Sequence, residues 1–541
     1  MRSSHGAPVV LLAFVATFLL GAGYARAATY TVTNTNDDLN PGSLRWAVSQ
    51  ADANSGSTIN FSLAWPASIN LSNGSLGVTA SMAIVGPGLS NLAINGNGSQ
   101  IFNAYSTSNV VVSLNISGVA LQGGQSSGNG GAIYVGQNVA LTVVNVAFSG
   151  NSARDGGALY ASWGASTLSI SQCAFTSNSA LSAGGAIYTY AAPSISNTTF
   201  SGNSALAGGA LFDVSMGSSG PLPGTIAASL FSGNSATAIG GAIWTQSPLT
   251  ITGSSLTGNS SAQDGGAIYE VSSVLSLSYD TISSNTASGN GGGIASMGLN
   301  TTISTSTISG NTAEGDGGGI ENSGPLVVGN STISGNTSQS WGGGVFNSGY
   351  ATLSNDTMAG NSAEMGGGIY SEQQLQLSFT TFSGNSAISG ATGGGALNSI
   401  DNLLGLRNTI FANSAAGQNC QIQFVPAVQD QGYSLSDDSS CAAVLSAATD
   451  QNKVPAGLSP SGLRNNGGPT ATIALLPSSP AVGAIPIASC VDSEQMVVAT
   501  DQRGMLRLNP RQRCDIGAYE LVRAYGHGHG HGDGRGDGDD R

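Results

Sequence analysis

Apolar residues return along this chain at an interval of about 25 residues. One column stands at Val143, Ile170, Ile195, Ile226, Ile251, Leu277, Ile303, Val328, Leu353 and Leu377. Five residues later each unit has an apolar residue, two small or polar residues and an Asn, as in Phe148-Ser149-Gly150-Asn151. A second column follows a glycine-rich string: Ile133, Leu159, Ile187, Leu211, Ile243, Ile268, Ile294, Ile320, Val345, Ile369 and Leu397. Short β-rich runs split by Gly, Asn and Ser predict strands, and no stretch within a unit is long enough for a helical crossover. A unit this small buries its apolar face only by stacking on its neighbours. The pattern predicts an all-β chain, a right-handed parallel β-helix (solenoid) with coils about 4.8 Å apart.

The Asn recurs at Asn151, Asn178, Asn203, Asn234, Asn259, Asn285, Asn311, Asn336, Asn361, Asn385 and Asn413. Stacked in register, these side chains predict an internal amide ladder. The open ends of such a rod invite edge-to-edge pairing and need covers. Residues 43–53 place Leu44, Ala47, Val48 and Ala51 at helical spacing just after Pro41-Gly42, predicting a short N-terminal capping helix. After Asn413 the repeat decays and cysteines appear, predicting a small C-terminal module. The expected organisation is a signal peptide at 1–27, cap and first irregular coils at 28–128, repeats at 129–414, the module at 415–523 and a disordered tail at 524–541.

Composition sharpens this picture. Arg2, the apolar run Val9–Leu20 and Ala25-Arg26-Ala27 predict an export signal cleaved before Ala28. No later segment is apolar enough to cross a bilayer as a helix. The formal net charge is -14 and Lys453 is the single lysine. That excludes a basic stripe for nucleic acid. Cys420, Cys441, Cys490 and Cys514 are disulfide candidates. Nearest-neighbour pairing joins Cys420 to Cys441 and Cys490 to Cys514, with the other two pairings open. Cys173 is left over. Its repeat equivalents Thr198, Ser229, Ser254 and Asp280 are polar, so a free, partly exposed thiol is expected.

The strings GGAIY and FSGN resemble the GGA(I/L/V) and FxxN repeats of chlamydial polymorphic outer-membrane proteins. Literal FxxN occurs at Phe148, Phe175, Phe200, Phe231 and Phe382. The opening segment, with Ser43-Leu44-Arg45, resembles a CSLREA-type motif of bacterial secreted β-helix proteins without its leading cysteine. Leu476 to Ala481, Thr500 to Gly504 and Cys514 to Glu520 resemble the choice-of-anchor Q domain. The resemblance implies an exported bacterial β-helix. The chlamydial proteins are adhesins with a C-terminal barrel; here only a short polar tail follows Glu520.

Candidate chemistry is sparse. Between Asn129 and Asn413 the only cations are Arg154 and Arg407, and no His lies between Ala28 and Tyr525. That removes the usual base and charge-neutralising partners of a uronate lyase, and excludes His-based triads. Glycoside hydrolysis needs only two carboxyls, and Asp264 and Asp316 lie two coils apart with Asn290 between them. Turn residues that bond their own backbone are the commoner use of such Asp, and three ligands are few for calcium. The residue after the second apolar column is Tyr134, Tyr160, Tyr188, Phe212, Trp244 and Tyr269 in successive coils. Ala295 and Glu321 interrupt it before Phe346 and Tyr370. Strand alternation turns these rings outward, as a stacking face for sugars or as a structural ladder. In the tail, His527, His529, His531 and Arg535-Gly536-Asp537 are read as part of a solvated acidic segment.

The sequence therefore predicts a non-catalytic exported protein, extracellular or at the cell surface, used for adhesion or glycan binding. A carbohydrate-active enzyme and a surface spacer are the alternatives. No cofactor or metal is expected. The expected partner is a glycan or a cell-surface protein, with no nucleic acid and no integral span.

Overall fold

A computed structural model describes residues 27–521, apart from 218–219, 391–392, 401–402, 424–427 and 508–511. The signal-peptide and tail readings, including His527 and Arg535, fall almost wholly outside these residues. What is described is a parallel β-solenoid of about 15 turns with a single α-helix. One coil shows the plan. Strands Thr167–Ser171 and Ala174–Thr176 lie in a broad sheet, Ser179–Ala183 in a narrow sheet of ten strands, and Ile187–Thr189 in a sheet of fourteen. Gln172, Ser177 and Gly184 turn the corners at φ of +55°, +51° and +65°. At the last corner the following glycine is also required. A Cβ on Gly185 would overlap the carbonyl of Gly209 in the next coil.

Register is fixed by the apolar columns. Ile170 pairs with Ile195, and Leu159 with Ile187, and these side chains are at most 1 % exposed. Phe148, Phe175, Phe200 and Phe231 stack inside at 4.4–4.9 Å with nearly parallel planes. The Asn ladder forms from Asn151 to Asn385. Asn234 donates its backbone N–H and its Nδ2 to Asn259 Oδ1, at 3.0 and 2.9 Å, and Nδ2 also reaches the carbonyl of Phe200 at 3.0 Å. Each rung thus satisfies a corner amide that the sheets leave unpaired.

Two expectations need correction. Asn413 is exposed at φ +54°, on the corner that Gly384 occupies one coil earlier. The inward position falls to Ser414, and Asn419 supplies the next rung by donating to the carbonyl of Phe411 at 3.1 Å. Cys173 is buried, not partly exposed. The positive-φ corner at Gln172 breaks strand alternation, so the polar column after it points inward. There Thr198 Oγ1, Ser229 Oγ, Ser254 Oγ and Asp280 Oδ1 each accept a backbone N–H from the preceding coil. Burial pushes the Cys173 thiol up to about 11.

The helix spans Leu44–Ala53, buries Leu44, Ala47, Val48 and Ala51, and is capped by Ser43, whose hydroxyl accepts from Trp46 N at 3.1 Å. At the far end parallel pairing outlasts the sequence repeat, joining Ile410 to Leu435 and Leu435 to Gln451. Cys420 bonds Cys441 and Cys490 bonds Cys514. Residues 454–507 and 512–521 then cover the flank of the rod. Asn355 Nδ2 donates to Thr500 O at 2.8 Å, Thr357 Oγ1 to Gln502 Oε1 at 2.6 Å, and Ala518 N to Thr381 Oγ1 at 2.9 Å. Arg507 is buried over the Phe379 ring, 3.7 Å from Glu520. Among the described residues no helix is long and apolar enough to cross a membrane.

Candidate functional site

The fourteen-stranded sheet takes the strand that follows the glycines, and its outer face carries the aromatic column. Each strand there is three or four residues long in the ladder region, with its first and third residues buried and its ring half-buried between them. In-register pairing places ring over ring, since Tyr160 pairs with Tyr188, Tyr188 with Phe212 and Phe212 with Trp244. The centroids are 5.6 Å apart for Tyr134–Tyr160, 5.0 Å for Tyr160–Tyr188, 4.9 Å for Tyr188–Phe212 and 4.1 Å for Phe212–Trp244. The interplanar angles are 10°, 25°, 22° and 5°. The column is therefore a ladder, and it keeps one face toward solvent. Tyr190, two residues after Tyr188, joins it, its hydroxyl 3.0 Å from that of Tyr188. Alternation alone pointed Tyr190 outward, so its signal was present in the sequence.

Tyr269 pairs in register with Trp244, but its hydroxyl reaches Met297 Sδ in the next coil at 3.3 Å. The ring leans over the gap left by Ala295, which is fully buried. The next outward residue is Glu321, only 4 % exposed. Beyond it Phe346 and Tyr370 resume the column at 5.8 Å, and Trp341 stacks on Tyr370 at 4.9 Å. Trp341 escaped the column reading because it stands in the position before the glycines, where Asp264, Asn290 and Asp316 stand in other coils.

Those three residues form a ladder of their own. Asp264 Oδ1 accepts from Asn290 N at 2.7 Å, Asn290 Oδ1 from Asp316 N at 2.8 Å, and Asp316 Oδ1 from Trp341 N at 3.0 Å. They bond the next coil rather than their own turn, and one oxygen of each is thereby occupied. Among the described residues no group of three or more His, Cys, Asp or Glu is placed to hold a metal ion. Glu321 is the group the sequence understated. Its Oε1 accepts from Ser323 Oγ at 2.6 Å, whereas the buried Oε2 has no hydrogen-bond partner. Burial first, and then the charges of Asp264 and Asp316, push its carboxyl up to about 7. The outer face thus offers a half-exposed run of rings, a buried carboxyl group and a second group of rings, in line along the rod.

The Chlamydia polymorphic membrane protein repeat matches residues 145–162, 172–190 and 228–246. These segments include Tyr160, Tyr188 and Trp244 of the ladder. No curated protein matches the chain. Several solved structures are similar in architecture. The A-module of a mannuronan C-5 epimerase from Azotobacter vinelandii aligns at 13% identity and a TM-score of 0.39, over 75% of this chain and 99% of its own. Tailspike protein 3 of bacteriophage CBA120 aligns at 11% and 0.37, over 75% of this chain and 61% of its own. A mannuronic acid specific polysaccharide family 6 lyase from human gut microbiota aligns at 10% and 0.34, over 76% and 86%. Likenesses this distant carry no argument about activity.

Proposed function

We propose that this chain is an exported, non-catalytic surface protein that binds glycan along its aromatic face. The observation that carries the reading is the half-exposed ladder from Tyr134 to Trp244. Rings that only stabilised the sheet would serve equally well covered, whereas half-exposed rings whose faces cover one another still offer a continuous strip of aromatic edges and hydroxyls to a sugar. Ladder spacing follows the coil spacing, so a linear polysaccharide lying along the rod meets ring after ring. The match to a polymorphic membrane protein repeat and the two disulfides support a location outside the cytoplasm. The C-terminal segment, by its resemblance to choice-of-anchor Q, is proposed to take part in retention at the surface.

The test is binding of the purified chain to a glycan array, with product assays on the same polysaccharides. Binding without product is expected, and the double variant Tyr188→Ala, Trp244→Ala should weaken it by about tenfold or more. Binding unchanged by that variant would leave the ladder a structural device. One observation favours a second reading. A carboxyl with an ordinary proton affinity raised to about 7, beside two further carboxylates, suits the general acid of glycoside hydrolysis. Release of reducing sugar that Glu321→Gln abolishes would install that reading in place of the first.

A further inference from the structure

Glu321 carries an unsolved electrostatic problem. It is a nearly fully buried carboxyl with one oxygen unpaired, and such a group costs free energy unless a donor reaches it. Among the described residues no cation stands there. Arg154 lies six coils away, and Arg407 sits in another sheet, its guanidinium 2.7 Å from Gln431. The nearby charges are instead of the same sign. Asp264 and Asp316 both act on Glu321, and Asp316 acts on Glu372 two coils further on. The missing partner is a positively charged donor that the described residues do not supply.

The surroundings narrow its chemistry. The carboxylates do not converge as a metal cage. The walls are aromatic: Tyr269 leans over the Ala295 gap on one side, and Phe346, Tyr370 and Trp341 stand on the other. Aromatic faces with a carboxylate at the floor suit an organic ammonium group. The notch also lies in the same outward column as the glycan-stacking ladder, one coil past Ala295. Coils repeat about every 4.8 Å, close to the advance of one pyranose unit in an extended β-linked chain. A polysaccharide lying along Tyr188 to Trp244 therefore brings a later unit over Glu321.

We propose that the notch formed by Tyr269, Ala295, Glu321 and Phe346 receives the ammonium group of an amino-sugar unit in a linear polysaccharide, with Asp264 and Asp316 at its rim. This rests on the glycan-binding reading above and adds the class of sugar. Tyr269 swings from its Met297 contact to admit the unit. Glu321 Oε2 accepts from the ammonium, and the neighbouring carboxylates share the charge. The formal net charge of -14 draws such a polycation to the rod.

The test uses the full chain and two oligosaccharides, a fully deacetylated β-1,4 glucosamine hexamer and its fully N-acetylated counterpart, measured by titration calorimetry. The native chain should bind the deacetylated hexamer about tenfold more tightly or better. Glu321→Gln should erase that preference while residual binding of the acetylated hexamer and the circular dichroism spectrum stay unchanged. Asp264→Asn keeps an oxygen for the Asn290 amide and should reduce the preference by about threefold, which carries the test if Glu321→Gln does not fold. Trp244→Ala should weaken both hexamers alike. Equal affinity of the native chain for the two hexamers overturns the amino-sugar assignment and leaves glycan binding standing. Absence of binding to every glycan on the array overturns both. A lysine-rich peptide that binds as tightly, with the same dependence on Glu321, overturns the sugar assignment in favour of a protein partner.

Discussion

Two ladders climb this rod with the same period, one inside and one outside, and they obey different rules. The inner ladder is Asn in ten successive coils, from Asn151 to Asn385. The outer one reads Tyr, Tyr, Tyr, Phe, Trp, Tyr, Ala, Glu, Phe and Tyr over coils paired in register. Inside, each rung must accept two N–H groups and donate to a carbonyl and to the next rung, a set that only a short amide meets. Outside, the rings from Tyr134 to Tyr269 are half-exposed while Ala295, Glu321, Phe346 and Tyr370 are buried, and the rungs pack on one another rather than accept each other's N–H groups, so the column tolerates several residue types. Hydrogen-bond obligation fixes identity, and partial exposure frees it for function.

Breaking the inner ladder should have the largest effect. Asn259→Leu removes the acceptor for both Asn234 donors and the donor to the Phe231 carbonyl. Several buried groups lose partners, at about 1–3 kcal/mol each, so a loss on the order of 4 kcal/mol is expected in urea unfolding. A loss below about 1 kcal/mol would mean that water or neighbouring coils replace the rung. Next comes the inner column of Ser and Asp beside it. Asp356 is fully buried, and burial raises its carboxyl far above the usual range. Asp356→Asn should stabilise the protein at pH 8, by roughly 1–3 kcal/mol, and much less at pH 5. Equal gains at both pH values would show that charge is not the cause.

The same sign applies to three further buried carboxyls. Burial lifts Asp280 to about 6, Glu321 to about 7 and Glu520 to about 8, the last two helped by neighbouring carboxylates. Folded values above unfolded ones mean that the folded chain keeps protons the unfolded chain has released. Stability from these groups is therefore full below about pH 4 and declines as pH rises to about 8. A melting temperature that climbs from pH 5 to pH 8 would contradict this. The smallest stability effect belongs to the outer ladder: Trp244→Ala should cost only about 1 kcal/mol while weakening glycan binding. A much larger loss of stability would make the outer ladder as obligatory as the inner one.

The fold was legible because apolar period and strand alternation are local properties. Ile170, Leu159 and Phe148 all lie where their columns put them, and helix spacing picked out Leu44, Ala47, Val48 and Ala51. What alternation misjudges are the corners. Gln172 at positive φ turns Cys173 inward, and Asn413 takes a corner that glycine usually fills. The site was half legible. The rings were visible as a column, but the burial of Glu321 depends on residues supplied by neighbouring coils, Tyr269 among them. The flank contacts of Thr500 and Gln502 were invisible, because nothing periodic links them to Asn355 and Thr357.

Those flank contacts impose an order of assembly. A coil finds its partner about 25 residues away, so the rod can wind from its N-terminus coil by coil. The returning strap cannot follow that rule, since Arg507 meets Asn355 across 152 residues and Gln502 meets Thr332 across 170. The middle coils present open polar sockets until Thr500, Gln502 and Arg507 arrive. The latch is thereby written into the flank of the rod: a chain cut before Thr500 can wind, but it cannot latch.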